Sequence, residues 1–401
     1  MADSGARWPA VTVEEREWTS NISGLSGRQQ AKILPTYQAT VTPAVADLES
    51  IEMSGGVAAD LAEAEATIER FDATVGAALS GFAVIALRTE AVASSRIENL
   101  SASATSIALV EHLPKTQRAK SNAEAISANV ATLREAMERD TPIDAAEIME
   151  IQRILLEQHA PQLTGKFRDE QVWIGGSNYS PHGAEHVAPH HDRVPAAVDD
   201  WTTFAQRQDL GRLAHIAVAH AQLETIHPFS DGNGRTGRVI VQRMLRRSGL
   251  TTETILPISA GLLTDIDRYF AALRAYQQGL VEPIILAFVA ATLSTAANAQ
   301  QLADELTEIQ QGWKDRITAR SDSAVWLVLD HALETPAISS ASIAGQLDMT
   351  PHRARAAIEQ LEEAGILHTN SKARRNKVWL VTDVVDALEA FMNRTRRQRT
   401  G

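Results

Sequence analysis

The sequence predicts a mainly α-helical chain with a small β-hairpin flap and a C-terminal winged helix-turn-helix. Three observations predict it. Apolar residues recur at helical spacing over most of the 401 residues. The stretch from Phe167 to Val194 breaks that period with short apolar runs around glycine turns. After Ser321, three short helical segments lead into two strand-like runs around a basic turn.

Hydrophobic residues make up 44% of the chain and charged residues 22%, the balance of a packed core under a solvated surface. A net charge of −12 argues against wholesale coating of nucleic acid or acidic membrane. The absence of cysteine excludes disulfides, Cys-ligated zinc and a thiolate nucleophile. The N-terminus lacks a basic stretch followed by an apolar core, and no apolar run approaches the ~18 residues of a membrane span. A cytoplasmic protein without membrane contact is therefore expected.

In chain order, residues 1 to about 50 are punctuated by Pro9, Pro35 and Pro43 and read as extended or loosely packed. From Val57 to Asn99 the chain is alanine-rich, free of proline and helical. Thr141-Pro142 opens another helix, with Asp144 and Glu147 near its positive dipole end and Ile148, Ile151 and Leu155 on one face. Val172-Trp173-Ile174 and Glu185-His186-Val187 are the two strands of a hairpin. Helices resume near Ala196 and run to about Thr318. Ala324–Ala332, Ala341–Leu347 and Thr350–Ala364 are helices of the C-terminal module, with a tight turn at Asp348-Met349. Ile366 to Val381 supplies its two wing strands.

The most informative segment is His227-Pro228-Phe229-Ser230-Asp231-Gly232-Asn233-Gly234-Arg235-Thr236-Gly237-Arg238. Helical stripes precede it (Leu213, Ile216, His220, Leu223) and follow it (Val239, Ile240, Met244). A helix thus runs into a polar glycine-rich loop and out into a second helix, which makes an anion site. The glycines let backbone N–H groups approach a phosphate, and the second helix presents its positive end. Arg235 and Arg238 share one helix face and suit phosphate oxygens. Asp231 is a hard oxygen ligand suited to Mg²⁺, and His227 is suited to removing a proton from a hydroxyl. Gly232, Gly234 and Gly237 also satisfy the dinucleotide fingerprint, but that needs a strand before it, and here a helix precedes. No Lys-Ser/Thr pair follows the last glycine, so the loop is not a P-loop.

These twelve residues resemble the signature of the Fic family, H-P-F-x-D/E-G-N-G-R-x-x-R, at every defined position. Gly165 to Gly175 looks like that family's run into its flap hairpin, and Val187 to Val194 like the run out of it. The resemblance covers about Leu61 to Leu293. It implies a Fic-type helical core and transfer of AMP from ATP to a Ser, Thr or Tyr hydroxyl of a target protein, the chain itself included. By the same resemblance His227 is the catalytic base and Asp231 holds Mg²⁺. Gly232, Asn233, Gly234, Arg235, Thr236, Gly237 and Arg238 bind ATP. Tyr269 and Phe270 pack on adenine, and Gln277 contacts the nucleotide. Ile174, Gly175, Gly176 and Ser177 on the flap lay down the target segment by β-augmentation.

Ser94 and Glu98 share a helix face, and Asn99 stands where a helix ends in a left-handed residue. The segment resembles the family's inhibitory motif, S/T-x-x-x-E-G/N. That resemblance implies that Glu98 pairs with Arg238 and competes with ATP's γ-phosphate. The implied domains are 1–115, an N-terminal region with the inhibitory helix; 116–300, the Fic catalytic core; 301–320, a linker helix; and 321–401, the winged-helix domain.

His182, His186, His190 and His191 read as solvent-exposed flap residues rather than a zinc site. Arg353 and Arg355, the wing residues Lys372, Arg374, Arg375 and Lys377, and the terminal Arg394, Arg396, Arg397 and Arg399 make a candidate DNA footprint, opposed by Glu359, Glu362 and Glu363. Alternative readings are a nucleotide-sensing DNA-binding regulator, a transferase using another nucleotide, and removal of AMP. Alanine-rich helix faces fit either homodimerisation or tight intramolecular packing.

Overall fold

The computed structural model describes residues 8–19, 24–78, 81–113, 121–369 and 377–395. Strand β1 (Thr12–Glu17), a short helix α1 (Gly27–Gln30) and β2 (Thr36–Val41) open the chain. Four helices follow: α2 (Gly55–Ala78), α3 (Phe82–Ile97), α4 (Ala104–Glu111) and α5 (Asn122–Glu138). After α6 (Ala145–Leu156) come the flap strands β3 (Trp173–Ile174) and β4 (His186–Val187). The helices α7 (Val194–Ala205), α8 (Arg212–Ile226), α9 (Asn233–Arg247), α10 (Ile258–Thr264), α11 (Ile266–Gln277) and α12 (Glu282–Arg316) follow. The C-terminal module is α13 (Ala324–Glu334), β5 (Ala337–Ser339), α14 (Ser340–Gln346), α15 (Pro351–Glu363), β6 (Val378–Leu380) and α16 (Thr382–Arg394). The chain is mainly helical, as its periodicity predicts.

Two compact units form, each assembled from separate stretches of chain. The first comprises residues 1–63, 136–248 and 267–289. The extended N-terminal region is an antiparallel β1–β2 hairpin, paired from Thr12–Val41 to Glu17–Thr36. It braces the flap. Trp18 meets Tyr37 and Trp173 edge-on, the Tyr37 hydroxyl donates to Gln171 Oε1 at 2.8 Å, and His182 Nε2 donates to the Thr36 carbonyl at 2.8 Å. Asp144 caps α6 by accepting from Glu147 N at 2.9 Å, so Thr141-Pro142 lies before the helix rather than in its first turn. Trp201 of α7 is fully buried and donates to the Ala219 carbonyl of α8 at 2.7 Å, so its polar edge is satisfied within the core.

The second unit comprises residues 64–135, 249–266 and 290–401. Asp72 accepts from the backbone of Thr252, Glu253 and Thr254, fixing the loop ahead of α10. Glu90 of α3 caps α10 through Ser259 N at 2.9 Å. Helix α10 lies so close to α12 that a β-carbon on Gly261 would sit 2.2 Å from the Ala291 carbonyl oxygen.

The C-terminal module keeps the expected order of three helices, and Asp348 takes the tight-turn conformation at φ +45°. The wing differs. Val378–Leu380 is a strand and pairs with Ala337–Ser339, whereas 366–369 contributes only the bridge from His368 to Leu380. Lys372, Arg374 and Arg375 lie outside the described residues, as do Arg396, Arg397 and Arg399. Helix α16 is an element the sequence reading does not contain, although Val384, Val385, Leu388, Phe391 and Met392 recur at helical spacing and are buried. Arg355, Lys377 and Arg394 each meet a carboxylate, on Glu359, Glu362 and Glu305. Among the described residues α12 is long and apolar enough to cross a membrane by length and composition alone, against the expectation of no such run. Some 56% of its most apolar window is buried inside the fold, as in a core helix.

Candidate active site

The site grows from the junction of α8 and α9. His227 caps the end of α8 in a left-handed conformation at φ +50°, and five residues later Gly232 stands at the N-cap of α9 at φ +85°. The intervening loop is held by Asn233, whose Oδ1 accepts from Phe229 N at 2.9 Å while its Nδ2 donates to Phe229 O at 2.8 Å. The two helices pack closely because position 237 is glycine. A β-carbon there would lie 3.1 Å from Glu224 Oε1 and 3.3 Å from His220 Nδ1.

The N-cap Gly232 has no side chain to cover the first turn of α9, and its leading amides and the positive end of the helix dipole suit an anion. Arg235 in that turn and Arg238 in the next are buried. Asp231 stands at the rim with its side chain 52% exposed. One carboxylate oxygen accepts from Gly232 N at 2.6 Å and lies 3.5 Å from the Arg235 guanidinium. His227 Nδ1 is 3.2 Å from the Glu224 carbonyl oxygen. A carbonyl only accepts, so Nδ1 carries the proton and Nε2 is the ring's basic nitrogen.

Three residues outside the twelve-residue motif complete the site. Arg168 is buried and donates to the carbonyls of His227 (2.8 Å), Glu170 (2.9 Å) and Pro189 (2.5 Å), tying both legs of the flap to the turn at His227. Burial lowers its pKa to about 10. The Glu224 carboxylate lies 3.9 Å from both His220 Nε2 and His227 Nδ1. Its signal was present as i,i+4 and i,i+3 spacings on one helix. Gln152 donates to the Asp231 carbonyl at 3.3 Å.

The expected nucleotide residues are distributed unevenly. Tyr269 belongs to the core, its hydroxyl hydrogen-bonded to His220 Nε2 at 2.8 Å, while Phe270 is 38% exposed. Gln277 ends α11, and its carbonyl accepts from Val11 N at 2.9 Å. On the flap, Ile174 is exposed, Gly175 and Gly176 turn at φ +77° and +70°, and the Ser177 carbonyl accepts from Trp173 Nε1 at 2.6 Å. Backbone of residues 183–184 approaches to about the contact limit at Gly176, where a β-carbon would lie 3.0 Å from the Gly183 carbonyl oxygen. Glu98 follows α3, and Asn99 closes it at φ +59° as its spacing suggests. Ser94 is buried on that helix.

Residues 142–245 match the profile of the Fic/DOC family. They form a Fic domain. Protein adenylyltransferase fic-1 of Caenorhabditis briggsae is 30% identical over 143 residues, and protein adenylyltransferase Fic of Drosophila willistoni is 31% identical over 143. Each alignment covers 36% of this chain and 26% of the relative, so the similarity spans about a quarter of those proteins. The crystal structure of a Fic family protein from Desulfovibrio desulfuricans G20 superposes with a TM-score of 0.53 at 18% identity, covering 83% of this chain and 98% of that one.

The flap histidines of the Fic domain are not the exposed cluster their spacing suggests. His186 is buried, and its Nε2 donates to the Thr225 carbonyl at 3.1 Å. Burial lowers its pKa from 6.5 to about 4. His220 is lowered to about 3 by burial and then by the Arg238 charge. Both folded values lie below the unfolded value, so the unfolded chain binds more protons between them. The stability contributed by the neutral rings is therefore complete above about pH 6.5 and is lost as pH falls towards 4, by up to about 1.4 kcal/mol per unit for each ring. Thermal melts should show Tm falling between pH 7 and 5, with a shallower fall in His186→Asn. A flat profile would contradict this account.

Proposed function

We propose that the chain is a protein adenylyltransferase that transfers AMP from ATP to a protein hydroxyl and is restrained by Glu98. The observation that carries this reading is the pairing of an imidazole, at the end of α8, with a first turn of α9 that starts on Gly232 and bears Arg235, only a short loop away. An anion cradle beside a base is what hydroxyl attack on a phosphate ester requires.

In this reading α9's amides, Arg235 and Arg238 hold the phosphates. His227 Nε2 takes the target's hydroxyl proton, the oxygen bonds to the α-phosphorus, and the α–β bridging bond breaks with pyrophosphate leaving. Positioning and charge stabilisation account for most of the rate, since phosphoryl-type transfer needs little covalent help from a protein. Asp231 is the residue that would hold Mg²⁺. Among the described residues no group of three metal-binding side chains forms. A single rim carboxylate fits an ion whose remaining ligands are phosphate oxygens and water. When bound, Mg²⁺ neutralises phosphate charge.

The test is incubation of wild type and Glu98→Gly with Mg²⁺ and ATP labelled at either the α- or the γ-phosphate. Protein-bound α-label should rise about tenfold or more in Glu98→Gly, equivalent to roughly 1.4 kcal/mol of relieved competition. The γ-label should stay off the protein. Absence of α-label from both samples while ATP still binds would overturn the reading, and parallel reactions with GTP and UTP test another donor.

A further inference from the structure

The helix that ends beside Glu98 is built into the C-terminal module. Within the unit that contains both, α3 packs against α10, α13 and α16, and α4 packs against β5 and α16. One face of α3, carrying Thr89, Val92 and Arg96, lines a cleft whose other wall is Leu388, Glu389 and Met392 of α16. Helix α4 is pinned to the module at both ends. Glu389 Oε1 accepts from Ala104 N, its first residue, at 2.6 Å, and His112 Nε2, just past its last, donates to the Ala337 carbonyl of β5 at 2.6 Å. A two-pronged ion pair, Arg88 to Glu111 at 2.8 and 3.0 Å, ties α3 to α4. At the start of α3 the backbone passes so near α13 that a β-carbon on Gly81 would lie 2.3 Å from Glu334 Cγ.

Six residues, 98–103, separate the end of α3 from α4. Glu98 is therefore held from both sides by helices anchored on the module. We propose that α13–α16 is the regulatory part of the protein: it clamps α3 and α4 so that Glu98 stays in its restraining position, and loosening α16 releases AMP transfer. This rests on the reading of Glu98 as the restraint. The clamp is specific in its geometry, because the module's contacts come from α16, β5 and the end of α13 rather than from the outer face of α13, where Leu327 is 52% exposed.

The experiment compares wild type, Glu98→Gly, Leu388→Ala/Met392→Ala and Glu389→Gln, with Leu327→Ser as the control. Automodification is measured with α-labelled ATP, and hydrogen exchange is followed over residues 82–113. Glu389→Gln replaces one carboxylate oxygen by an amide and keeps the core should the double variant unfold. The clamp variants are expected to exchange faster across α3 and α4 and to label several-fold above wild type. Added to Glu98→Gly they should bring no further rise, and Leu327→Ser should match wild type. Faster exchange with labelling at the wild-type level, while Glu98→Gly is active, would overturn the clamp alone. Unchanged exchange in both clamp variants would overturn it as well. If Glu98→Gly labels no more than wild type, the restraint itself is absent and this proposal falls with it.

Discussion

In a Glu98→Gly background, His227→Ala should reduce AMP transfer by about 10²- to 10⁴-fold, the range a positioned general base supplies. The geometry makes the imidazole's task specific. Its Nδ1 proton is committed to the Glu224 carbonyl, so the ring is oriented and its basic nitrogen is Nε2. ATP affinity should change by no more than a few-fold, because the phosphates are assigned to the α9 amides and arginines rather than to the ring. Calorimetric titration with ATP beside a transfer assay separates the two effects. Position 227 is left-handed, so alanine there carries a backbone cost of roughly 1–2 kcal/mol, and His227→Asn, which tolerates that conformation, is the matched control. Transfer surviving in both variants would mean that another group takes the proton.

Glu147→Ala should destabilise the unit that contains it by about 3–5 kcal/mol, the cost of stranding one partner of a buried ion pair. Arg243 of α9 meets Glu147 of α6 at 2.6 Å, with side chains only 7% and 5% exposed. The guanidinium also donates to the Ala136 and Thr141 carbonyls, at 3.0 and 2.6 Å, so it is too well anchored to swing into water when the carboxylate is removed. Chemical denaturation followed by tryptophan fluorescence would show an earlier transition. Glu147→Gln/Arg243→Met, which removes both charges and keeps volume, should recover much of the loss. A loss under about 1 kcal/mol in Glu147→Ala would mean that water reaches the site.

The loop from His227 to Arg238 was legible in the sequence because its chemistry is local. Glycines, imidazole, carboxylate and arginines follow one another, and the helices on either side announce themselves by period. The close of α3 at Asn99 was legible for the same reason. The bracing of the site was not, because its partners are far apart in the chain: Arg168 reaches the His227 carbonyl across 59 positions, and Tyr37 reaches Gln171 across 134. Strand β1, Thr-Val-Glu-Glu-Arg-Glu, is largely solvent-facing and carries no apolar alternation to mark it. The environment of the flap histidines is not legible in their spacing, because burial is a tertiary property. His186 is covered by its own fold while its spacing resembles that of exposed polar residues.

Arg168 has a consequence for how a guest segment is accepted. A single buried guanidinium holds both feet of the hairpin and the carbonyl of His227, while Trp18, itself packed on Tyr37, braces Trp173 of the hairpin from outside. Such a shelf does not fold down over what arrives. Under the proposed reaction the adaptability must come from the substrate, and hydroxyls on loose, extendable stretches of polypeptide would be modified ahead of those fixed in helices.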